Sequence, residues 1–335
     1  MALILQKFGG TSVATPQARE ALLGQVKKCL AENNQVVVVV SAMGRAGDPY
    51  ATDTLISLLE QIDPNIDPMK KDLLMSCGEI ISCSLISHLL ESNGIASVPM
   101  TGFQAGILTD DNFTNSEILG IDTSAIRRYL EAGKVVVIAG FQGATEDGRI
   151  TTLGRGGSDT AGVAIGAYLG ADMVDIFTDV LGVAKVDPRI VATAPLMEAI
   201  SYEDMYALAD NGAKVIHPRA VKTAQRFKVP VRVRSTFSDH TGTLISDEST
   251  RADHMLIGMA LEKSVQAACA KESMGRLFLV FDRNRLDEAK KQLDSFFAQG
   301  TAVGEATFTG GSVSILLPSE KLIETTQKLY GHFVG

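Results

Sequence analysis

The sequence has little that would suit it to nucleic acid or membranes. Acidic residues (39 Asp and Glu) outnumber basic ones (31 Lys and Arg), and no basic stripe of the kind that binds a polyanion is present. The longest apolar run, the valines at 36–40, is strand-sized and far below the roughly 20 residues that span a bilayer. Residues 1–6 lack the basic and apolar parts of a signal peptide. These absences predict a cytoplasmic protein that binds neither nucleic acid nor membrane.

Cysteine and histidine also lack the spacing of metal or redox sites. The four cysteines (Cys29, Cys77, Cys83 and Cys269) form no Cys-x-x-Cys pair, which disfavours a zinc site and a redox dithiol. The five histidines show no His-x-x-x-His spacing. We therefore predict reduced, mostly buried thiols, structural or surface histidines, and no metal among the site residues.

What the sequence does contain is the pattern of an α/β protein. Its 335 residues, 45% of them hydrophobic, can bury a sizeable core. Stretches of helical period alternate with short apolar runs, which lie at 2–6, 35–41, 96–100, 134–140 and 174–178. This alternation predicts a mostly parallel central sheet with helices on both faces, a three-layer α/β/α sandwich.

One helix is marked especially well, in the stretch 14–34. Thr15 can cap it, Pro16 suits its first turn, and apolar residues recur every four positions from Leu22. The valine-rich strand that follows is continuous rather than alternating, as expected when both faces of a strand are buried. We expect it near the centre of the sheet.

The C-terminal part contains an internal repeat. From about Ser238 the chain becomes polar and rich in turn residues, which predicts an exit from the large domain. Residues 275–297 then align without gaps on residues 311–333, each copy reading as strand, turn and helix. Because so small a unit cannot bury its own apolar face, the copies must pack on each other or on another chain. We expect a partner subunit.

The first segment that carries chemistry is LILQKFGGTSVA, residues 3–14. Adjacent glycines let backbone N–H groups approach an anion, the helix start that follows adds a favourable dipole, and Lys7 supplies a point charge for a phosphate. The spacing of a Walker loop is absent. A Gly-Gly turn between strand and helix is equally typical of a purely structural turn, in which case a buried Lys7 would need another anionic partner.

The second segment is TTLGRGGSDTAGVAIGAYLGA, residues 151–171. Its glycine turn carries Arg155, which suits a bidentate grip on a carboxylate, and leads Ser158 and Asp159 into a helix. Asp159 alone would be read as a helix cap. Together with the first segment, however, the pattern predicts one phosphate-sized and one carboxylate-sized site.

Two further segments are candidates for nucleotide contact. In residues 175–191 an apolar strand ends in Thr178 and Asp179 and leads to Asp187 and Arg189, and ligands collect beyond the carboxyl ends of such strands. An ordinary Asp-Pro turn is the alternative. Residues 211–221 place Lys214 before a His-Pro-Arg turn, and a solvated lysine is the alternative there.

These motifs resemble those of the aspartokinases, within the amino acid kinase superfamily. The resemblance covers residues 3 to about 245, and the stretch at 41–53 is similar to the form in Gram-positive aspartokinases. The matching motifs, in order, are KFGGTS, VVVVVSAMG, SCGE, TGFQAG, GFQG, TTLGRGGSDT, TDVLGV with DPRIV, GAKVIHPRAV and VPVRVRS.

The resemblance implies roles for individual residues. Catalytic roles fall to Lys7 and Asp159. The aspartate pocket would be formed by Ser41, Thr52 (with Thr54 as the alternative), Glu79, Arg155, Gly156, Gly157 and Ser158. ATP, with Mg²⁺, would be contacted by Lys7, Phe8, Gly9, Gly10, Thr11, Ser12, Thr178, Asp179, Asp187, Arg189 and Lys214.

The resemblance also implies a domain division and an activity. Residues 1–245 would form the catalytic domain, and residues 250–335 a truncated, ACT-like α+β domain that holds a homodimer together. Both repeats are similar to the later part of an ACT module, without its first helix and glycine loop, so the resemblance leaves effector binding by lysine or threonine open. The implied activity is ATP-dependent phosphorylation of L-aspartate. The alternatives are a kinase for a related amino acid such as glutamate, or a catalytically silent regulatory partner.

Overall fold

The computed structural model describes residues 1–247, 255–265, 273–298 and 306–334. The chain forms two compact units, one of Met1–Leu181 with Arg219–Leu244 and the other of Gly182–Pro218 with Ile245–Gly335. Cys269, predicted above to be a reduced thiol, lies outside the described residues, as does part of the stretch 250–335.

Strands and helices alternate along most of the chain. The strands are β1 Leu3–Phe8, β2 Gln35–Val40, β3 Ser97–Met100, β4 Ile107–Thr109, β5 Ile118–Ile121, β6 Val135–Ala139, β7 Gln142–Ala144, β8 Ile150–Thr152, β9 Met173–Thr178, β10 Ala199–Ser201, β11 Val231–Ser235, β12 Thr243–Ser246, β13 Leu256–Val265, β14 Met274–Phe281, β15 Ala306–Thr309 and β16 Ser312–Pro318. The helices are α1 Gly10–Val13, α2 Pro16–Ala31, α3 Thr52–Glu60, α4 Pro68–Ser92, α5 Ser124–Glu131, α6 Gly157–Leu169, α7 Tyr202–Asp210, α8 Pro218–Phe227, α9 Leu286–Ala298 and α10 Leu322–Val334.

A parallel sheet forms the centre of the first unit, with strand order β11-β9-β1-β2-β6-β3. The five strands expected from the apolar runs are all in it, so the α/β fold class is confirmed. Val36, Val38 and Val40 of β2 pack with α2 and α4 on one face, and α6 covers β1, β2 and β9. Burial on both faces explains why this strand sequence is continuous. A smaller sheet, β5-β4-β7-β8, completes the unit.

Helix α2 begins as its sequence predicts. The Thr15 side chain accepts a hydrogen bond of 3.1 Å from the backbone N–H of Ala18, and Pro16 occupies the first helical position. This bond satisfies one of the N–H groups that a helix start leaves unpaired. The cap fixes where the chain leaves the Gly-Gly turn.

Helix α4 corrects the expectation that no segment is long and apolar enough to span a bilayer. It is 25 residues long and, by length and composition alone, apolar enough to cross a membrane. It is also a core helix, because half of its most apolar stretch is buried within the protein and it packs on β3 and β6. Its buried face carries the acids Asp72 and Glu79, which are costly to place in lipid. We interpret α4 as part of the core of the first unit.

The second unit contains the repeat. Each copy is a strand, a 3₁₀ turn and a helix: β14 leads to α9, and β16 leads to α10. The matched residues Leu279 and Ile315 are both fully buried in one apolar cluster, and β14 pairs antiparallel with β16. Of the two alternatives left by the sequence, packing on each other or on another chain, the structure shows the first. The four-stranded antiparallel sheet, β13-β14-β16-β15, fits an ACT-like domain.

Candidate active site

A cavity of about 770 Å³ opens beyond the carboxyl ends of β1 and β2. This is the edge at which open parallel sheets bind ligands. The cavity is lined by acidic and basic side chains together, as a zwitterionic ligand requires. The lining residues are Lys7, Gly10, Ser41, Ala42, Gly44, Thr52, Asp53, Ile56, Glu60, Lys71, Met75, Glu79, Thr114, Phe141, Gly154, Arg155, Gly156, Gly157, Ser158 and Asp159.

At the end of β1, Lys7 is paired with Asp159. The lysine Nζ lies 2.5 Å from Oδ1 of the carboxylate, and the two side chains are only 9% and 16% exposed. Lys7 sits on a central strand, opposite Val39 and Ile176, and Asp159 lies in the first turn of α6. Removing either partner would leave a poorly solvated charge without compensation. The sequence analysis required such an anionic partner only if the Gly-Gly turn were purely structural, so this pair alone does not decide between the two interpretations of the turn.

The Gly-Gly turn packs tightly against the chain after β2. The backbone N–H of Gly9 donates to the carbonyl of Phe177 at 3.2 Å. A Cβ atom on Gly10 would lie 2.8 Å from the carbonyl oxygen of Ala42 and 2.9 Å from that of Gly44. Only a residue without a side chain fits there, so the turn brings bare backbone to the cavity.

Phe8 and Ser12, predicted from the resemblance to contact ATP, are not among the cavity-lining residues. Phe8 is fully buried and its ring stacks on Phe177, with centroids 4.6 Å apart. Ser12 is fully buried too, and its hydroxyl lies 2.6 Å from that of Thr236. Both side chains support the turn from the core, and Thr11, half-buried beside Ser12, is likewise outside the cavity lining.

Glu79 of α4 is a buried acid that faces the cavity. It is 3% exposed, and its Oε1 accepts a 2.9 Å hydrogen bond from the backbone N–H of Ala42, while Oε2 has no partner among the residues that the structure describes. Burial is the main cause that raises the pKa of Glu79 to about 8, and the Ala42 N–H opposes it. A cation in the cavity would satisfy the free oxygen and favour the charged form.

Arg155 lies on the glycine turn that opens α6. Gly154 and Gly156 adopt left-handed backbone conformations, with φ of 70° and 69°. The helix cap, Gly156, has no side chain to satisfy the first N–H groups of α6, so the helix start offers donors to an anion at the cavity wall. Arg155 is exposed and lines the same cavity.

The structure distinguishes between the two threonines considered for the aspartate pocket. Thr52, the first residue of α3, lines the cavity. Thr54 instead accepts a 3.1 Å hydrogen bond from the backbone N–H of Gly47, and so holds the preceding loop. The geometry therefore favours Thr52.

Thr178 ends β9, Asp179 follows it, and both lie outside the cavity lining. The Thr178 hydroxyl donates to Asp179 at 3.2 Å, and Arg45 donates to the same carboxylate at 3.1 Å. Sequence reasoning did not single out Arg45, which lies in the 41–53 stretch with no local motif to mark its distant partner.

The remaining predicted nucleotide contacts lie in the second unit. Arg189 is paired with Asp187 at 2.6 Å, and this hydrogen bond is the main cause that lowers the pKa of Asp187. Lys214 is exposed in the turn between α7 and α8. Contact between the nucleotide and these three residues remains a prediction.

Other lining residues were missed from the sequence. Lys71 and Met75 stand on α4 two turns and one turn before Glu79, respectively, so helical spacing could have found them. Phe141 follows β6 and could have been expected at the same sheet edge. Thr114 has no such signal. Phe141 and Thr114 share left-handed backbone conformations, with φ of 68° and 69°, which are rare for such side chains.

Fold and cavity together define an α/β protein with a site suited to an amino acid beside a phosphate. Comparison with known sequences agrees with this class. The profile of the amino acid kinase family matches residues 2–235. Aspartokinase 1 of Bacillus subtilis is 48% identical over 271 residues, which cover 79% of this chain and 67% of that protein. The aspartokinase of Geobacillus stearothermophilus is 45% identical over 266 residues, or 79% and 64% of the two chains.

Solved structures give the same picture. The chain resembles an aspartate kinase from Synechocystis with a TM-score of 0.66 and 34% identity, covering 98% of this chain and 55% of that one. For the fold alone, Escherichia coli aspartokinase III in complex with aspartate and ADP gives a TM-score of 0.78 at 21% identity, covering 98% and 99%. The chain belongs to the amino acid kinase family, in its aspartokinase branch. It spans about two thirds of the length of the curated relatives it matches.

Proposed function

We propose that this chain uses ATP to phosphorylate the side-chain carboxylate of L-aspartate. The product is the acyl phosphate 4-phospho-L-aspartate, the first intermediate on the way to amino acids such as lysine and threonine. The observation that carries the proposal is the cavity itself, in which Glu79 and Arg155 line the same space as the Lys7–Asp159 pair. Named aspartokinases at 45–48% identity support it.

The amino acid is bound through its charges. The unpartnered Oε2 of Glu79 accepts the substrate ammonium group, and Arg155 grips a carboxylate in bidentate fashion. Ser41, Thr52 and Ser158 add hydroxyl groups along the same wall. Gly156 and Gly157 bring backbone N–H groups to the substrate at the start of α6.

The phosphate end lies at the Gly-Gly turn. Lys7 balances the charge of the transferred phosphoryl group, and Gly9 and Gly10 allow the backbone to approach it closely. Among the described residues no group of three or more His, Cys, Asp or Glu could hold a metal alone. This suits Mg²⁺, which binds mainly through nucleotide phosphates and one or two carboxylates, here that of Asp159. Bound in that way, Mg²⁺ neutralises phosphate charge.

The chemistry needs no general base. A carboxylate with a pKa near 4 is already ionised at neutral pH, so the nucleophile exists without proton removal. The obstacle is the approach of one anion to another. Lys7 lowers that repulsion, Asp159 holds Lys7 in place, and Glu79 with Arg155 orients the substrate for in-line attack.

The test is hydroxylamine trapping of the acyl phosphate. Purified protein is incubated with Mg-ATP, hydroxylamine and either aspartate, glutamate or no amino acid, with and without lysine and threonine. Hydroxamate that depends on aspartate supports the proposal. Product from glutamate instead, or no product from any amino acid, contradicts it.

We also propose an assembly and a location. Residues 1–245 act as the catalytic part in the cytoplasm, and residues 250–335 as a reduced, ACT-like element that joins two copies. In support, β13 and β15 are the edge strands of their sheet, and residues 307–309 of β15 are exposed. Sedimentation equilibrium should give the mass of a dimer, and a monomer at micromolar concentration would contradict this.

A further inference from the structure

Asp72 is a buried acid to which the proposed chemistry gives no role. It is fully buried, does not line the cavity, and stands on α4 two turns before Glu79. Its Oδ2 accepts hydrogen bonds from the backbone N–H groups of Thr114 at 2.9 Å and Thr152 at 2.8 Å, and its Oδ1 accepts from the Thr152 hydroxyl at 2.6 Å. One side chain therefore joins α4 to two segments distant in sequence.

The first of these segments includes Thr114, one of the two non-glycine residues of the cavity lining named above for their left-handed backbone. Thr114 has φ of 69°, a left-handed conformation that a β-branched side chain rarely adopts. Such a conformation persists only where the surroundings hold it, and it occurs most often at functional sites. The bond from its N–H to Asp72 is one such restraint, and Thr114 lines the cavity.

Arg219 holds the same two segments. This residue ends the His-Pro-Arg motif and lies near the start of α8. Its Nη1 donates to the Asn115 side chain at 3.0 Å and to the Leu153 carbonyl at 2.5 Å, and its Nη2 donates to the Ser116 carbonyl at 2.9 Å. The planar guanidinium donates to these three acceptors from two separate nitrogen atoms held in a fixed geometry, which the single ammonium nitrogen of a lysine does not reproduce.

The glycine turn with Arg155 rests on these segments. A Cβ atom on Gly154 would lie 2.7 Å from Oδ1 of Asn115 and 3.0 Å from the carbonyl oxygen of Thr114. Arg155 follows directly and is itself exposed. Because its own side chain is long and exposed, the position of its guanidinium depends on where the backbone of the turn is held.

We propose that Asp72 and Arg219 are positioning residues for Arg155. They brace residues 114–116 and 152–154, so that Arg155 presents its guanidinium to the substrate carboxylate, and neither touches the substrate. This inference rests on the proposed function. It gives a functional role to Arg219 of the His-Pro-Arg motif and to Asp72, which otherwise has only a structural explanation.

The test compares Asp72→Asn with Asp72→Ala. The asparagine can keep all three contacts, with its carbonyl oxygen accepting both N–H groups and its amide donating to the Thr152 hydroxyl. We expect Asp72→Asn to keep the KM for aspartate within about twofold, and Asp72→Ala to raise it about tenfold with the KM for ATP unchanged. Arg219→Lys should resemble Asp72→Ala.

The matched control is Ser87→Ala on the same helix. Ser87 makes a buried 2.8 Å hydrogen bond with Ser97, and neither lines the cavity. Its loss should lower the melting temperature without changing the KM for aspartate. If Ser87→Ala raises that KM as much as Asp72→Ala does, the effect is general destabilisation and the inference fails.

A double-mutant cycle with Arg155→Ala tests whether Asp72 acts through Arg155. In the Arg155→Ala background, Asp72→Ala should change the KM for aspartate less than twofold, because the group it positions is gone. Multiplicative losses would show that Asp72 acts independently and would overturn the inference.

The outcomes also separate this inference from the proposed function. A wild-type protein without aspartate-dependent turnover contradicts the proposed function. A wild-type protein that turns aspartate over, with Asp72→Ala at the wild-type KM, contradicts only the inference. Hydrogen exchange at residues 114–116 and 152–157 tests the inference without substrate. Exchange of these backbone amides should be faster in Asp72→Ala than in wild type and unchanged in Asp72→Asn. Unchanged exchange in both variants contradicts the inference.

Discussion

The ammonium group of Lys7 and the carboxylate of Asp159 lie 2.5 Å apart at the floor of the cavity, although 152 positions separate them in sequence. The pair joins the Gly-Gly turn after β1 to the glycine turn before α6. Each turn alone is compatible with a structural role. Their contact brings a phosphate-binding pattern and a carboxylate-binding pattern to one place.

The first prediction concerns this pair. Lys7→Met should lower kcat about 10²–10³-fold, because a preorganised charge near the transferred phosphoryl group is lost. Asp159→Asn should lower kcat as well, since Lys7 then loses its fixed position. Steady-state kinetics measure both. Lys28→Met is the control, because Lys28 and Asp239 form an exposed ion pair, and it should behave as wild type. Wild-type activity in Lys7→Met would contradict the assignment.

The second prediction is a pH dependence. Since burial raises the pKa of Glu79 to about 8, the free protein carries this group mostly protonated at pH 7. The ionised form that binds an ammonium group grows as the pH rises, so kcat/KM for aspartate should increase with pH and level off above about 8. Glu79→Gln should lose most of this activity and its pH dependence. Glu60→Gln, an exposed acid on the same cavity, should keep the wild-type profile.

The third prediction is that Glu79 lowers the free energy of unfolding as the pH rises toward 8. Its pKa is raised from the model-compound value of 4.5 to about 8 on folding, so the folded state holds a proton that the unfolded state releases between these values. Stability therefore falls as the pH rises from about 4.5 to 8. Glu79→Gln should be more stable than wild type at pH 8, by roughly 1–3 kcal/mol, as is common at functional sites. Urea unfolding at pH 5 and pH 8 measures it, and an equal difference at both would contradict it.

The fourth prediction compares two glycines. Gly10→Ala forces a methyl group against the carbonyl oxygens of Ala42 and Gly44, so the turn must move, and we expect the KM for ATP to rise at least tenfold. Gly24→Ala lies in the middle of α2, where the added atom meets no described residue within 4 Å. It should raise stability by about 0.5–1 kcal/mol with unchanged kinetics. If both variants bind ATP alike, the Gly-Gly turn is not a phosphate site.

Local motifs allowed much of the site to be predicted from the sequence. Lys7, Gly10 and Arg155 sit in short patterns of glycine and charge at strand ends, and the chemistry of such patterns does not depend on distant partners. The parallel sheet was equally accessible, because its strands are continuous apolar runs. The cap at Thr15 needed only that residue and Pro16 beside it.

What could not be predicted depends on contacts between distant parts of the chain. Asp72 is separated from its partners Thr114 and Thr152 by 42 and 80 positions, and nothing beside it marks it as buried. The strain at Thr114 has no signal in the sequence either. The burial of the Phe8 and Ser12 side chains, which the resemblance assigned to ATP, also had no local signal, and their contact with ATP remains a prediction.

The most direct test of the central claim follows oxygen from substrate to phosphate. Aspartate labelled with ¹⁸O in its side-chain carboxylate is incubated with the protein, Mg-ATP and hydroxylamine, which attacks the carbonyl carbon of an acyl phosphate and releases phosphate with the bridging oxygen. We expect ³¹P NMR to find one ¹⁸O in each phosphate released with the hydroxamate. Unlabelled phosphate released with the hydroxamate would contradict it, because the oxygen would then not come from the side-chain carboxylate.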